Sequence, residues 1–395
     1  MASCIGCTCT RPDALGIGGS LLLATRVAHT VTALRAIVRE HGAEAHERTP
    51  GLLEIITGDV AGVLLAVQQN LSSVEAAEVR AVQLDGQSGD ELLALAMSAP
   101  TVQQLGARAQ SADLLPLFAD ELNAFRAVYQ PIVSLRDDEP AGGPVVIGHE
   151  ALLRGTGPQG PIMPQELFGA AERAGWLHVL DRIGRTTALR GAKGWLGDDL
   201  LFVNFLPTTI YRPEVCLRTT EIAAERAGLR LEQLVFEVTE SERITDLEHL
   251  ADVFAYYKDR GCRVALDDLG AGYSSLNMLV RLQPDIVKLD KDIVQRLPGA
   301  ASVAVVSAVL DITHAYGGQV LAECVETQAQ ADCARELGVD LAQGWFFGRP
   351  VERAEAPVRL PVPLTVGSAG EDAGAFTGND PAVSLAASPI AASMP

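Results

Sequence analysis

Between Phe125 and about residue 350, short apolar runs alternate with stretches of helical period. The runs are FRAVYQPIV, VVIGHEALLR, LLFVNFLP, LVFEVTES, RVALDDLG, DIVKLD, QVLAECVET and DLAQGWFFGRP. Each reads as a buried strand. Helical patterns separate the later ones, over Glu214–Ala227, Leu247–Arg260, Ser274–Leu282, Ala301–Tyr316 and Gln328–Leu337. This alternation predicts an α/β domain with a parallel sheet, and a length of roughly 225 residues suits one closed (β/α)8, TIM-like barrel. Polar residues sit at or near the ends of the runs. In chain order they are Gln130, Glu150 with Arg154, Asn204, Glu237 with Glu240, Asp267 with Asp268, Lys288 with Asp290, Glu323 with Glu326, and Gln343. In a barrel such strand ends converge on one mouth.

The pattern before residue 110 differs and predicts a small α/β module. Ser20–His41 reads as a helix with Leu21, Leu22, Val27, Val31, Leu34 and Val38 roughly on one face. Gly51–Thr57 reads as a strand, Val60–Leu71 as a helix, Ser73 as the start of another, Ala81–Leu84 as a strand and Glu91–Met97 as a helix. No cofactor motif appears there, so regulation, dimerisation or partner binding is its default role. Leu114–Ala124 reads as a helical lead-in. The chain thus divides into a Cys-rich segment (1–11), the module (12–110), the barrel (111–353) and a tail (354–395). The tail is rich in Ala, Pro, Gly and Ser, the composition of disorder.

The net charge of −19 argues against double-stranded nucleic acid or an anionic membrane as a general partner. The start MASCIGCTCTRP lacks a basic region before an apolar stretch, and the run near Ile17–Thr25 is too short to span a bilayer. A cytosolic location is expected. Cys216, Cys262, Cys324 and Cys333 lie in apolar segments and read as small core residues. Cys4, Cys7 and Cys9 form C-x-x-C-x-C. That spacing suits a zinc or iron–sulfur half-site, a redox switch or a membrane-attachment signal, or else a frayed terminus. His29, His41 or His46 offers a fourth zinc ligand.

The densest chemistry lies in VALDDLGAGYSS, residues 264–275. Adjacent strand residues point to opposite faces, so Asp267 and Asp268 share a site only where the strand ends; Gly270 and Gly272 are expected to end it. Two carboxylates this close repel unless a cation lies between them, and a hard divalent ion is the natural guest. The alternative is a solvated turn. Glu150, Asn204, Glu237 and Asp267 offer the oxygen ligands that Mg²⁺ or Mn²⁺ prefers, and Asp268 or Glu323 can complete a second site bridged by Asp267. Two ions ~4 Å apart suit phosphodiester hydrolysis. Lys288 reads as a neutral base, a charged group that orients water, or a salt bridge to Asp290 or Asp267. Arg154 reads as a phosphate contact or a rim salt bridge.

These residues carry a resemblance. EALLR at 150–154 resembles the name-giving motif of the EAL-domain family, the cyclic di-GMP phosphodiesterases. YQPIV at 129–133, GPIMP at 160–164, VNFLP at 203–207, FEVTES at 236–241, DDLGAGYSS at 267–275, PDIVKLD at 284–290, AECVET at 322–327 and AQGWFFGRP at 342–350 follow in family order. The resemblance covers residues 125–350. It implies a (β/α)8 barrel that linearises cyclic di-GMP to pGpG with Mg²⁺ or Mn²⁺. It implies metal positions at Glu150, Asn204, Glu237, Asp267, Asp268 and Glu323, and a water or metal role for Lys288. Glu240 corresponds to the position that holds the loop after Asp267–Asp268, through which the family commonly forms homodimers. Gln130, Leu153 and Arg154 correspond to nucleotide contacts; Asp290, Glu326 and Gln343 support the site or contact substrate. Calcium commonly inhibits the family. Leu269, Gly155, Ala271 and Trp345 depart from the family pattern without removing a ligand. The alternative is a catalytically silent cyclic di-GMP receptor or protein-interaction module.

Overall fold

The computed structural model describes residues 15–84, 99–136, 144–210, 212–239, 247–269 and 275–352. The Cys4–Cys9 cluster, Glu91–Met97, Glu240, the loop at 270–274 and the tail lie outside the described residues. Two compact units emerge. One comprises Met1–Ala124 with Gly157–Ile162 and Glu166–Leu180; the other holds the rest.

In the first unit, β1 (Gly19–Ala24), β2 (Glu44–Thr49), β3 (Leu52–Thr57) and β4 (Arg80–Leu84) form an antiparallel sheet in the order β2-β3-β1-β4. Leu21, Leu23, Leu53 and Ile55 enter a core with residues of α1 (Ala28–Glu40) and α2 (Val60–Asn70). The expected helix over Ser20–His41 is therefore corrected. Its first residues form one of the two inner strands, where Leu21 and Leu23 are buried while Leu22 between them is half-buried. Three consecutive leucines satisfy either period, and pairing on both sides of β1 decides for the strand. Strand β2, EAHERT, lies at the sheet edge and is mostly exposed, so it carries no hydrophobic alternation to read. The helix expected from Ser73 spans Ser73–Glu78. Ser72 Oγ accepts the Glu75 amide, and the Glu75 carboxylate accepts the Ser72 amide in return.

The second unit is a closed barrel of eight strands: β5 (Phe125–Ser134), β6 (Val146–Gly157), β7 (Leu200–Asn204), β8 (Leu234–Thr239), β9 (Arg263–Leu269), β10 (Ile286–Leu289), β11 (Gln319–Ala322) and β12 (Leu341–Gln343). Strands β6 to β12 run parallel, whereas β5 is antiparallel to both neighbours, β6 and β12. The barrel is thus mixed rather than wholly parallel. Alternation sorts each strand into two faces. The outer face packs in the main core, for example Val203, Phe236, Val264, Val287 and Val320. Inside, Ile132, Phe202, Val235, Ala265, Ile286, Leu321 and Leu341 form a separate apolar layer. The remaining strand, β6, contributes Gly148, where a Cβ would lie 2.9 Å from Leu200 Cβ and 3.2 Å from the Phe202 ring. Glycine there lets Phe202 fill the layer.

Asp340, just before β12, ties the β5–β12 seam. Its carboxylate accepts from the Val320 amide (2.8 Å) and from Arg136 Nε (3.1 Å), and lies 2.9 Å from His314 Nε2. Burial acts to raise its pKa, but His314, the Val320 amide and Arg136 together hold it below the usual aspartate value. A depressed folded pKa means stability that is present above the unfolded pKa and lost as pH falls through the folded one. Asp340→Asn is expected to cost on the order of 1–2 kcal/mol at pH 7 and less near pH 3, as read by denaturant melts at the two pH values.

Candidate active site

Two residues along from the apolar layer, the same inner face turns polar on every strand. Phe202 is followed by Asn204, Val235 by Glu237, Ala265 by Asp267, Ile286 by Lys288, Leu321 by Glu323, Leu341 by Gln343 and Gly148 by Glu150. On antiparallel β5 the step runs backwards, from Ile132 to Gln130, which pairs in register with Glu150. Period-2 alternation therefore assembles one ring from eight strands. Gln130 and Glu150 lie well inside their strands rather than at the ends, and Glu150 is only 2% exposed, not solvent-open.

Lys288 sits at the centre, fully buried. Its Nζ lies 2.8 Å from Glu323 Oε1, 2.9 Å from Glu237 Oε1, 3.1 Å from Asp267 Oδ1 and 4.0 Å from Glu150 Oε1. Burial alone would pull its ammonium down, but Asp267, Glu150, Glu237 and Glu323 together push it well above the ordinary lysine value. The surrounding carboxylates favour the ammonium form in this arrangement, and its partners within 4.0 Å include Asp267 and not Asp290. Amides brace the ring. Asn204 Nδ2 donates to Glu150 Oε1 (3.1 Å), and Gln343 Nε2 donates to Glu150 Oε2 (2.6 Å) and Gln130 Oε1 (3.1 Å).

Asp268 reaches the same place by a different route. Alternation alone would face it outward. Its φ of 58° and a register shift between Leu266 and Leu269, an irregularity inside β9, turn it inward one residue before the strand ends at Leu269. Aspartate tolerates this left-handed conformation better than most residues. Among the described residues, carboxylate oxygens of Asp267, Asp268 and Glu323 lie within 4.8 Å of one another. Burial, then the neighbouring charges, raises the pKa values of Glu237, Asp267 and Glu323, and that of Asp268 to about 7. Among the described residues, Asp267 Oδ2, Asp268 Oδ2 and Glu237 Oε2 are buried without a hydrogen-bond partner. Five carboxylates thus face one ammonium, with oxygen atoms left unsatisfied. That donor set fits a hard divalent cation.

A cavity of about 170 Å³ opens beside the ring, lined among others by Glu150, Glu323, Glu326, Gln343 and Trp345. Other expected residues lie elsewhere. Leu153 faces the opposite side of β6 from Glu150, toward Gly184 on the helix Leu177–Ala192. Asp290 caps the short helix Lys291–Val294, accepting the Asp292 amide at 2.8 Å. Arg154 Nη1 donates to the Leu153 carbonyl (2.9 Å). Sequence reasoning missed Leu152, Lys291, Gln295 and Cys324, all of which line the cavity. Leu152 shares Glu150's face by parity, a readable signal. Cys324, expected as a core residue, instead takes a φ of 51° beside Glu323 and faces the cavity.

A family model for the EAL domain matches residues 112–350, well over half of the chain. The chain belongs to the EAL-domain family. Its EAL domain is 32% identical over 231 residues to a protein of Azorhizobium caulinodans, covering 56% of this chain but only 30% of that protein. An uncharacterized Mycobacterium tuberculosis protein is 31% identical over 236 residues, covering 57% of this chain and 75% of that one. Among solved structures, the standalone EAL protein of Vibrio cholerae O395 in its c-di-GMP-bound form is 32% identical. Its TM-score is 0.52, over 59% of this chain and 95% of that one. The PaMucR phosphodiesterase in complex with c-di-GMP is 30% identical, with a TM-score of 0.54 over 62% and 98%. The Bacillus subtilis YkuI protein, in complex with substrate c-di-GMP and calcium, is 26% identical, with a TM-score of 0.54 over 63% and 61%. Among the described residues no helix is long and apolar enough to cross a membrane.

Proposed function

We propose that the barrel hydrolyses cyclic di-GMP to linear pGpG with Mg²⁺ or Mn²⁺, and that residues 12–110 regulate it. The observation that carries this reading is the ring of five buried carboxylates around Lys288, with amides on either side. It is supported by the c-di-GMP complexes of the Vibrio cholerae protein and PaMucR.

Glu150, Asn204, Glu237, Asp267, Asp268 and Glu323 would hold the cations. When bound, these supply charge neutralisation for a phosphate and acidify a water nucleophile. The chain's own residues do the rest. Lys288, as an ammonium, gathers Glu237, Asp267 and Glu323 around it in a fixed geometry. Gln343 ties Gln130 to Glu150, which sets the Glu150 carboxylate on the inner face. Glu326, Trp345 and the side chains around them shape the cavity next to the ring, where one nucleotide of the substrate is placed. Arg154, further along the inner face of β6, is assigned to the substrate phosphate. The barrel is proposed to pair with a second copy through the loop after Asp268.

The cation requirement gives a direct test. Calcium takes longer bonds and looser geometry than magnesium. Cyclic di-GMP is therefore expected to bind with Ca²⁺ but to turn over at least 10²-fold more slowly than with Mg²⁺. Chromatography of the nucleotides after matched incubations reads this, and full turnover in Ca²⁺ alone contradicts the proposed site.

A further inference from the structure

Asn204 is the last residue of β7, and the chain turns immediately after it. What fixes that turn lies on the outer helix Leu177–Ala192. Asp181 Oδ1 accepts the Leu206 amide at 2.9 Å, and its Oδ2 lies 3.0 Å from Thr209 Oγ1. The same threonine hydroxyl is 2.8 Å from the Leu206 carbonyl, which closes the loop on itself. One helical turn on, Arg185 Nη2 meets Asp181 Oδ2 at 3.0 Å. Both side chains are almost wholly buried, at 4% and 2% exposure, and among the described residues Arg185 Nε and Nη1 have no hydrogen-bond partner.

A buried ion pair with unsatisfied donors adds little net stability, because desolvation offsets the attraction. Its position suggests a different use. We propose that Asp181 and Arg185 are positioning residues that hold the turn after Asn204, and through it hold the Asn204 side chain in the cation-binding ring. The inference rests on the proposed role of that ring. The mechanical link is short. Phe205 donates its amide to the Glu237 carbonyl (3.0 Å), Leu206 is anchored on Asp181, and Asn204 between Val203 and Phe205 reaches Glu150. Without the anchor the turn is free to swing, and the amide that braces Glu150 loses its fixed origin. Outer residues that orient metal ligands typically change metal affinity by roughly 10- to 100-fold.

Two double variants of the full chain separate positioning from mere packing. Asp181→Leu with Arg185→Met removes the charges and the acceptor. Asp181→Asn with Arg185→Met removes the charges but keeps an oxygen for the Leu206 amide. Mn²⁺ affinity is measured by electron paramagnetic resonance without substrate, alongside kcat, KM for cyclic di-GMP and thermal unfolding. The leucine variant is expected to bind Mn²⁺ about 10-fold more weakly with lowered kcat. The asparagine variant is expected to stay within about 1.5-fold of wild type. Equal Mn²⁺ affinity in both variants overturns the inference. Should the leucine variant fail to fold, Thr209→Val removes one arm of the clamp and is expected to weaken Mn²⁺ about 3-fold; an unchanged affinity there overturns it as well. Wild-type protein that bound no Mn²⁺ would overturn the reading of the ring itself.

Discussion

Glu150→Gln is expected to lower hydrolysis of cyclic di-GMP by at least 10³-fold while leaving the barrel folded. Glu150 is buried and accepts from two donors, Asn204 Nδ2 and Gln343 Nε2. Glutamine has nearly the same shape and can keep one of these hydrogen bonds, so the core stays filled. What it loses is one negative charge at the ring. In the proposed cation site, that charge would act on both the bound metal and the developing charge of the transition state. Circular dichroism reports the fold, and a chromatographic assay reports turnover. A variant that keeps more than a tenth of wild-type kcat contradicts the assignment of Glu150 to the metal site.

The reverse sign is expected at Asp268, where function and stability oppose each other. Burial, followed by repulsion from Asp267, raises its carboxyl from the ordinary 3.8 to about 7. Between those two values the folded state binds more protons than the unfolded chain, so stability falls as pH rises through the window. At pH 8 the full cost is present, and at pH 4 almost none. Asp268→Asn removes the charge and keeps a side chain that tolerates a φ of 58°. In the presence of EDTA at pH 8 it is expected to stabilise the protein by on the order of 2 kcal/mol, a rise of several degrees in Tm. The gain is expected to vanish at pH 4. Added Mn²⁺ should stabilise the wild type and not the variant, because only the wild type gains the binding free energy. Thermal melts at the two pH values, with EDTA and with Mn²⁺, test all three statements. A variant less stable than wild type at pH 8 in EDTA contradicts the account of the charge cluster.

How far the sequence could be read depends on which physical signal each residue carries. The inner ring was legible because alternation is local. Once Phe202 or Val235 is placed inside, Asn204 and Glu237 must follow. Strand direction was not legible, since Gln130 lies on the inner face whether β5 runs up or down. The inward turn of Asp268 depends on one backbone angle at a non-glycine residue, and no pattern announces it. Leu152 and Leu153 show where parity and resemblance part: resemblance points to Leu153, while alternation from Glu150 puts Leu152 in the cavity. In the first unit, Leu21–Leu23 fits helix and strand equally, and long-range pairing with β3 and β4 decides. The clamp at Asp181 and Arg185 joins a helix to a loop some 25 residues later, a separation across which composition and periodicity carry no signal.

Product analysis is the sharpest test of metal-dependent hydrolysis of cyclic di-GMP. Purified protein is incubated with cyclic di-GMP and Mn²⁺ or Mg²⁺, with an EDTA control, and the nucleotides are separated by chromatography. Appearance of pGpG with the cation and not with EDTA is the predicted result. Cyclic di-GMP that binds but stays intact with both cations would contradict it, and would instead mark the protein as a receptor.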